Sequence, residues 1–135
     1  MTSRILTYIA TLIVFLGMDA VWLGLGSGSL YRDALGDLLL DGFRAGPAII
    51  FYLLHIAGLM VFVITRAEVR SKPLMALVFG AFYGLCTYGT YDLTNQAVLR
   101  AWTLKLTVID MIWGAIVTGT AALAGSWVER RTRRA

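Results

Sequence analysis

Four stretches of this chain are too long and too apolar to belong in water, and each approaches the length that an α-helix needs to cross a bilayer. They occupy residues 5–26, 47–65, 74–95 and 106–128. A rise of 1.5 Å per residue lets about 20 residues span a hydrocarbon layer roughly 30 Å thick. The first block carries one charge, Asp19, the second one titratable residue, His55, and the fourth one acid near its start, Asp110. What lies between is short: the longest gap is the 20 residues from Ser27 to Gly46. No soluble domain fits there. Charged residues are 15% of the chain and hydrophobic ones 59%, against about 25% and 45 to 50% in a water-soluble domain. The sequence therefore predicts an all-α, integral membrane protein, residues 1–135 forming a single domain built as a four-transmembrane-helix bundle. Arg4, the first apolar run and the small residues from Gly24 to Ser29 imitate a cleaved signal peptide, but the length of the run and Asp19 within it favour a retained helix.

Basic residues give the orientation, because Lys and Arg in short loops stay on the cytoplasmic side. Arg4, the second loop (Arg66, Arg70, Lys72) and the four arginines of the tail put eight on one side, against four (Arg32, Arg44, Arg100, Lys105) on the other. Both termini are thus expected in the cytoplasm. The net charge of +4 sits at the ends of apolar blocks and not along a folded face, so it speaks for membrane lipid and against nucleic acid. In the first loop, Leu30, Tyr31, Ala34, Leu35 and Leu38 repeat at helical spacing opposite Asp33, Asp37 and Asp41. That pattern suits a short helix in the interface as well as it suits a solvated loop, since Gly36 and Gly42 weaken the helix.

Ionisable residues are costly inside a bilayer, about 2.5–3.5 kcal/mol each at a helix centre, and they face a bundle interior or a wet cavity. With the topology above, Asp19, His55, Asp92 and Asp110 all fall in the outer half. Tyr88, Tyr91, Asp92 and Asn95 are spaced to share one helix face. The same stripe continues inward as Gly84 and Gly80, a GxxxG pair that admits a neighbouring helix. Below Asp110, Gly114, Thr118, Ala122 and Ser126 form a second stripe of small residues. The first and fourth blocks share Asp-x-x-Trp, as Asp19 with Trp22 and Asp110 with Trp113. The candidate binding cluster is Asp19, Trp22, His55, Tyr88, Tyr91, Asp92, Asn95, Asp110 and Trp113. Asp19 and Asp110, at one depth on two helices, are expected to approach each other and hold one proton between them.

Metal and cofactor chemistry find no foothold. One cysteine, Cys86, permits neither an intramolecular disulfide nor a multi-thiolate site, one histidine excludes bis-histidine haem, and no HExxH spacing occurs. No metal and no cofactor are expected.

Asp19-x-x-Trp22-Leu23-Gly24, the run Tyr88-Gly-Thr-Tyr91-Asp92-Leu93-Thr94-Asn95, and Asp110-x-x-Trp113-Gly114 together resemble the bacterial membrane protein family catalogued as domain of unknown function 2177. The tyrosine-rich run is the most specific piece, and the resemblance covers nearly the whole chain. It implies a small four-helix protein of the bacterial inner membrane and brings no activity with it.

Three functional readings follow, in order. The first is a binding or transport module for a small or lipid-like molecule, with the acids, His55 and Asn95 lining a site that Trp22, Trp113, Tyr88 and Tyr91 wall. Transport by so small a chain would call for a homodimer. The second is a lipid-modifying enzyme or accessory subunit, with an aspartic acid as general acid and His55 as base. No nucleophile motif accompanies it, so an enzyme ranks below a binding protein. The third is a structural subunit whose polar layer only fastens helices, each link worth about 0.6 kcal/mol on average.

Overall fold

A computed structural model describes residues 2–134. The described residues form six α-helices: α1 (Thr2–Trp22), α2 (Gly28–Leu35), α3 (Ala45–Leu59), α4 (Ala67–Ser71), α5 (Leu74–Val98) and α6 (Leu104–Arg134). Four helical runs are long and apolar enough to cross a membrane, Thr2–Leu25, Ala45–Ile64, Leu74–Val98 and Leu104–Arg133. The four expected spans are all present, and each helix outruns its apolar block at one end or both. Helical hydrogen bonding does not stop where apolarity does: α6 continues through Glu129 and the arginine tail, and α5 through Asn95 to Val98.

Pro47 stands in the first turn of α3, where its missing N–H would have no partner anyway. Two π-helical turns interrupt the spans, Leu23–Ser27 after α1 and Met60–Ile64 after α3. The first carries the chain on, still helical, into α2. That helix realises the amphipathic reading of the first loop over Leu30, Tyr31, Ala34 and Leu35, all half-buried, whereas Leu38 lies outside it at 72% exposure.

Helix α6 is the central post, packed most extensively against α5 and next against α1, while α3 closes the bundle beside α1 and α5. The α5–α6 seam is made by the two stripes of small residues. A methyl group added at Gly80 would lie 2.6 Å from Cβ of Ala122, one at Gly84 would run into the Gly114 carbonyl and Thr118, and one at Gly114 would enter the Tyr88 ring. Backbones therefore touch along this seam, as small-xxx-small pairs allow. Phe15, Ile56, Leu59 and Val117 are fully buried and fill the middle of the bundle with a dry apolar plug. Cys86 lies exposed on the outside of α5.

The end of the bundle that carries both termini is tied by polar contacts. Ser3 Oγ and Thr132 Oγ1 are 2.6 Å apart. Glu129 Oε1 receives Arg70 at 3.7 Å and Arg133 at 3.5 Å. The aspartates of the spans, Asp19, Asp92 and Asp110, gather at the opposite end.

Candidate functional site

A chamber of about 540 Å³ opens at the end away from the termini. Five helical segments contribute to it: α1 and its π-turn give Asp19, Trp22 and Leu23, α2 gives Tyr31, α3 gives Pro47, Ala48, Phe51 and Tyr52, α5 gives Thr87, Tyr88 and Tyr91, and α6 gives Asp110. Six aromatic rings and two carboxyl groups form most of the wall, and among the described residues no lysine or arginine lines it. Its volume is that of a site for a small organic molecule, which is roughly 300–1,000 Å³.

Asp19 is 8% exposed, and both of its oxygens are taken. The Tyr52 hydroxyl donates to Oδ2 at 2.5 Å, and the Trp113 indole N–H donates to Oδ1 at 3.2 Å. Trp113 is held in turn by Trp22, stacked at 4.7 Å with the ring planes 9° apart. The recurring Asp-x-x-Trp pattern of the first and last spans thus becomes a physical pair: the two tryptophans stack, and that of α6 bonds the acid of α1.

Asp110, 4% exposed, has different neighbours. The Tyr31 hydroxyl reaches it from α2, and the Asp92 carboxyl faces it from α5. Burial, then the negative charge of Asp110, pushes the Tyr31 hydroxyl above the usual phenol range, so Tyr31 remains a donor to Asp110 at physiological pH. Asp92 is fully buried, and neither of its oxygens has a donor among the described residues. As two carboxylates, Asp92 and Asp110 can only repel, and a hydrogen bond between them requires a proton on one.

Asp19 and Asp110 line one chamber, as their shared depth predicts, and Asp19 acts on Asp110 electrostatically across it. The carboxyl that faces Asp110, however, is that of Asp92 from α5.

Of the nine residues expected to cluster, Asp19, Trp22, Tyr88, Tyr91 and Asp110 line the chamber. Asp92 stands behind Asp110, and Trp113 stands behind Trp22 and Asp19. His55 does not reach the chamber. It lies below it with Nε2 at 3.1 Å from Thr118 Oγ1, among Phe15, Phe51, Tyr83 and Tyr88, and its buried Nδ1 has no partner. Asn95 is half-buried near the end of α5, one turn beyond Asp92, and is not part of the wall.

Tyr52, Phe51 and Tyr31 belong to the wall without having been singled out for it. Tyr52 was legible in principle, because it lies three residues before His55 and shares its face of α3. Tyr31 was visible as part of the first-loop stripe, but nothing in a stripe says which element it folds against.

Two further hollows, of about 420 and 270 Å³, lie at the terminus end. The larger is an apolar trough edged by Arg130 and Arg131, and the smaller surrounds Glu129 and its two arginines. Neither brings several carboxyls or aromatic faces together. Among the described residues, no group of three or more His, Cys, Asp or Glu is arranged to hold a metal ion.

A family model described as a predicted membrane protein, DUF2177, matches residues 4–127. Neither a curated protein nor a solved structure matches the chain.

Proposed function

The chain belongs to the DUF2177 family of predicted membrane proteins, and on that footing we propose that it is a multi-pass binding protein of the bacterial inner membrane, holding a small or lipid-like molecule in the chamber. One observation carries this reading: groups from every span converge on one aromatic-walled hollow, and Asp92, the carboxyl directly behind its wall, has no donor among the described residues. A bundle that needed polar residues only as fasteners would pair each with a donor, as it pairs Asp19. It would have no reason to set Asp92 against Asp110 beside an open volume.

Binding is favoured over passage because Phe15, Ile56, Leu59 and Val117, all fully buried, fill the middle of the bundle with apolar side chains. The enzymatic alternative has no base in the wall, since His55 does not line the hollow and its Nε2 lies 3.1 Å from Thr118 Oγ1. The structural reading keeps one specific support, the Tyr52–Asp19–Trp113 link, which joins three spans and needs no ligand.

The test is retention of a bound molecule. Protein extracted gently from the membrane and examined by native mass spectrometry should carry a defined adduct. Ala48→Trp, which fills the chamber from its half-buried wall position, should lose that adduct while keeping its helix content. Equal adducts in both proteins would overturn the proposal.

The basic-residue bias favours termini in the cytoplasm and a chamber mouth on the outer side. A reporter active only outside the cytoplasm, fused after Arg134, should stay silent, and the same reporter inserted after Asp41 should be active. The reverse pattern would invert the topology.

A further inference from the structure

We infer that the molecule held in the chamber is an organic cation, an ammonium-bearing amphiphile whose charged head sits against Asp110 between the aromatic rings. This rests on the reading that the chamber is a binding site, and it adds the chemical class of the ligand.

Charge points the same way from each side of the hollow. Asp19 and Asp110 form part of its wall, Asp92 lies directly behind Asp110, and among the described residues no basic side chain lines it. The two Asp92 oxygens are buried with no donor among the described residues, and the group they face is another acid. An anionic head would be repelled by this arrangement; one proton shared by Asp92 and Asp110 still leaves a negative charge on the pair, which a neutral head would not match. A cation supplies the missing positive charge, and an ammonium that carries hydrogens also supplies donors.

The walls distinguish an organic cation from a metal ion. Hard metal cations take several oxygen ligands at close range, whereas here two carboxyl groups share the wall with six rings. Rings that present negative π-faces attract weakly hydrated cations within about 6 Å, and alkylammonium groups are held this way in aromatic cages. Trp22 is fixed by its stack on Trp113, and Tyr52 by its bond to Asp19, so these faces are in place before anything binds.

Position supplies the amphiphile. Leu25, Phe43, Ile49 and Ile50 flank the chamber end of α1 and α3 with 83%, 82%, 56% and 59% of their surface exposed. A hydrocarbon tail can lie along these apolar side chains while the head turns inward. The same ammonium chemistry is offered by a lipid headgroup and by a free amine, and the two are separable by whether the tail is needed.

The experiment uses the full chain in lipid nanodiscs and follows tryptophan fluorescence, to which the stacked Trp22 and Trp113 contribute. Four probes with one dodecyl tail are titrated below their micelle concentrations: dodecyltrimethylammonium, dodecylphosphocholine, dodecyl sulfate and a neutral dodecyl polyoxyethylene. Tetramethylammonium chloride is the tailless arm, with sodium chloride as its salt control. Dodecyltrimethylammonium should saturate at least about tenfold more tightly than the sulfate or the neutral probe. Asp110→Asn should remove most of that advantage. Should Asp110→Asn not fold, Ala48→Arg, which puts a fixed cation in the wall, must lose the ammonium probe while Ser71→Arg, the same side chain at an exposed position of α4 at the terminus end, keeps it.

Saturation by tetramethylammonium assigns the site to free amines. Saturation by the tailed ammonium and the phosphocholine alone assigns it to lipid heads. Both outcomes support the inference. It is overturned if the sulfate or the neutral probe binds as tightly as the ammonium and Ala48→Trp abolishes that binding, a result that leaves the chamber standing as a site. If no probe saturates, or Ala48→Trp changes nothing, the reading of the chamber as a binding site falls with it.

Discussion

Gly84→Leu will part α5 from α6 and abolish the folded bundle. The contact at Gly84 is not with a yielding side chain but with the backbone carbonyl of Gly114, with Thr118 beside it. Neither can retreat, because both belong to a helix held from the other side by α1. A leucine forces the helices apart over at least the two turns that include Gly80, where Ala122 and Gly119 are equally close. Losses of this kind exceed about 4 kcal/mol, the range in which a single change unfolds a small domain. In detergent the variant should elute as broad aggregates and lose its cooperative thermal transition. Gly17→Leu is the matched control, since a side chain at Gly17 meets nothing within 4 Å. It should elute and melt like the unaltered chain. If Gly84→Leu melted within a few degrees of Gly17→Leu, the backbone seam would not be what holds the bundle.

The seam also shows how far the sequence could be read. Gly80 and Gly84 at a spacing of four, with Tyr88 and Asp92 continuing the stripe, fixed one face of α5 and required that it meet a helix with its own small residues. The stripe from Gly114 to Ser126 marked a second packing face on α6, and the structure brings Gly80 to Ala122, Gly84 to Gly114 and Thr118, and Tyr88 to Gly114. Depth was legible too, because a residue count from the end of a span gives height in the bilayer directly. What could not be counted was rotation. Asp19 and Asp110 are at one height, and nothing within α1 or α6 says how far each is turned from the other. Once the glycines draw α5 against α6, Asp92 reaches Asp110 first, and Asp19 is left to donors from α3 and α6. His55 illustrates the same limit, since its depth qualified it for the polar layer while its rotation sent it to Thr118. Tyr31 marks another: a loop helix has no bilayer to define its height, so its reach to Asp110 depends on where the π-turn at Leu23–Ser27 delivers it.

Asp19 and Asp110 then make opposite predictions despite their shared depth. Asp19 accepts two hydrogen bonds from the chain and so works as a fastener, one carboxyl joining α1, α3 and α6 through Tyr52 and Trp113. Asp19→Leu would leave the half-buried Tyr52 hydroxyl and Trp113 indole N–H without their acceptor. An unsatisfied buried group costs about 1–3 kcal/mol in a water-soluble protein. Interhelical hydrogen bonds in membranes average nearer 0.6 kcal/mol, because the separated helices find other partners. For two such bonds the expected loss is about 1–3 kcal/mol, read as a lower thermal transition. Asp19→Asn should recover most of it, since its amide oxygen accepts from Trp113 and its amide nitrogen donates to the Tyr52 oxygen, which can serve as either partner. Asp110→Asn should show the reverse pattern: a melting temperature close to the unaltered chain or above it, because it removes a charge facing Asp92, together with a large loss of ammonium binding. If Asp19→Asn melts as low as Asp19→Leu, charge and not hydrogen bonding is what Asp19 contributes, and the division between a fastening acid and a binding acid is wrong.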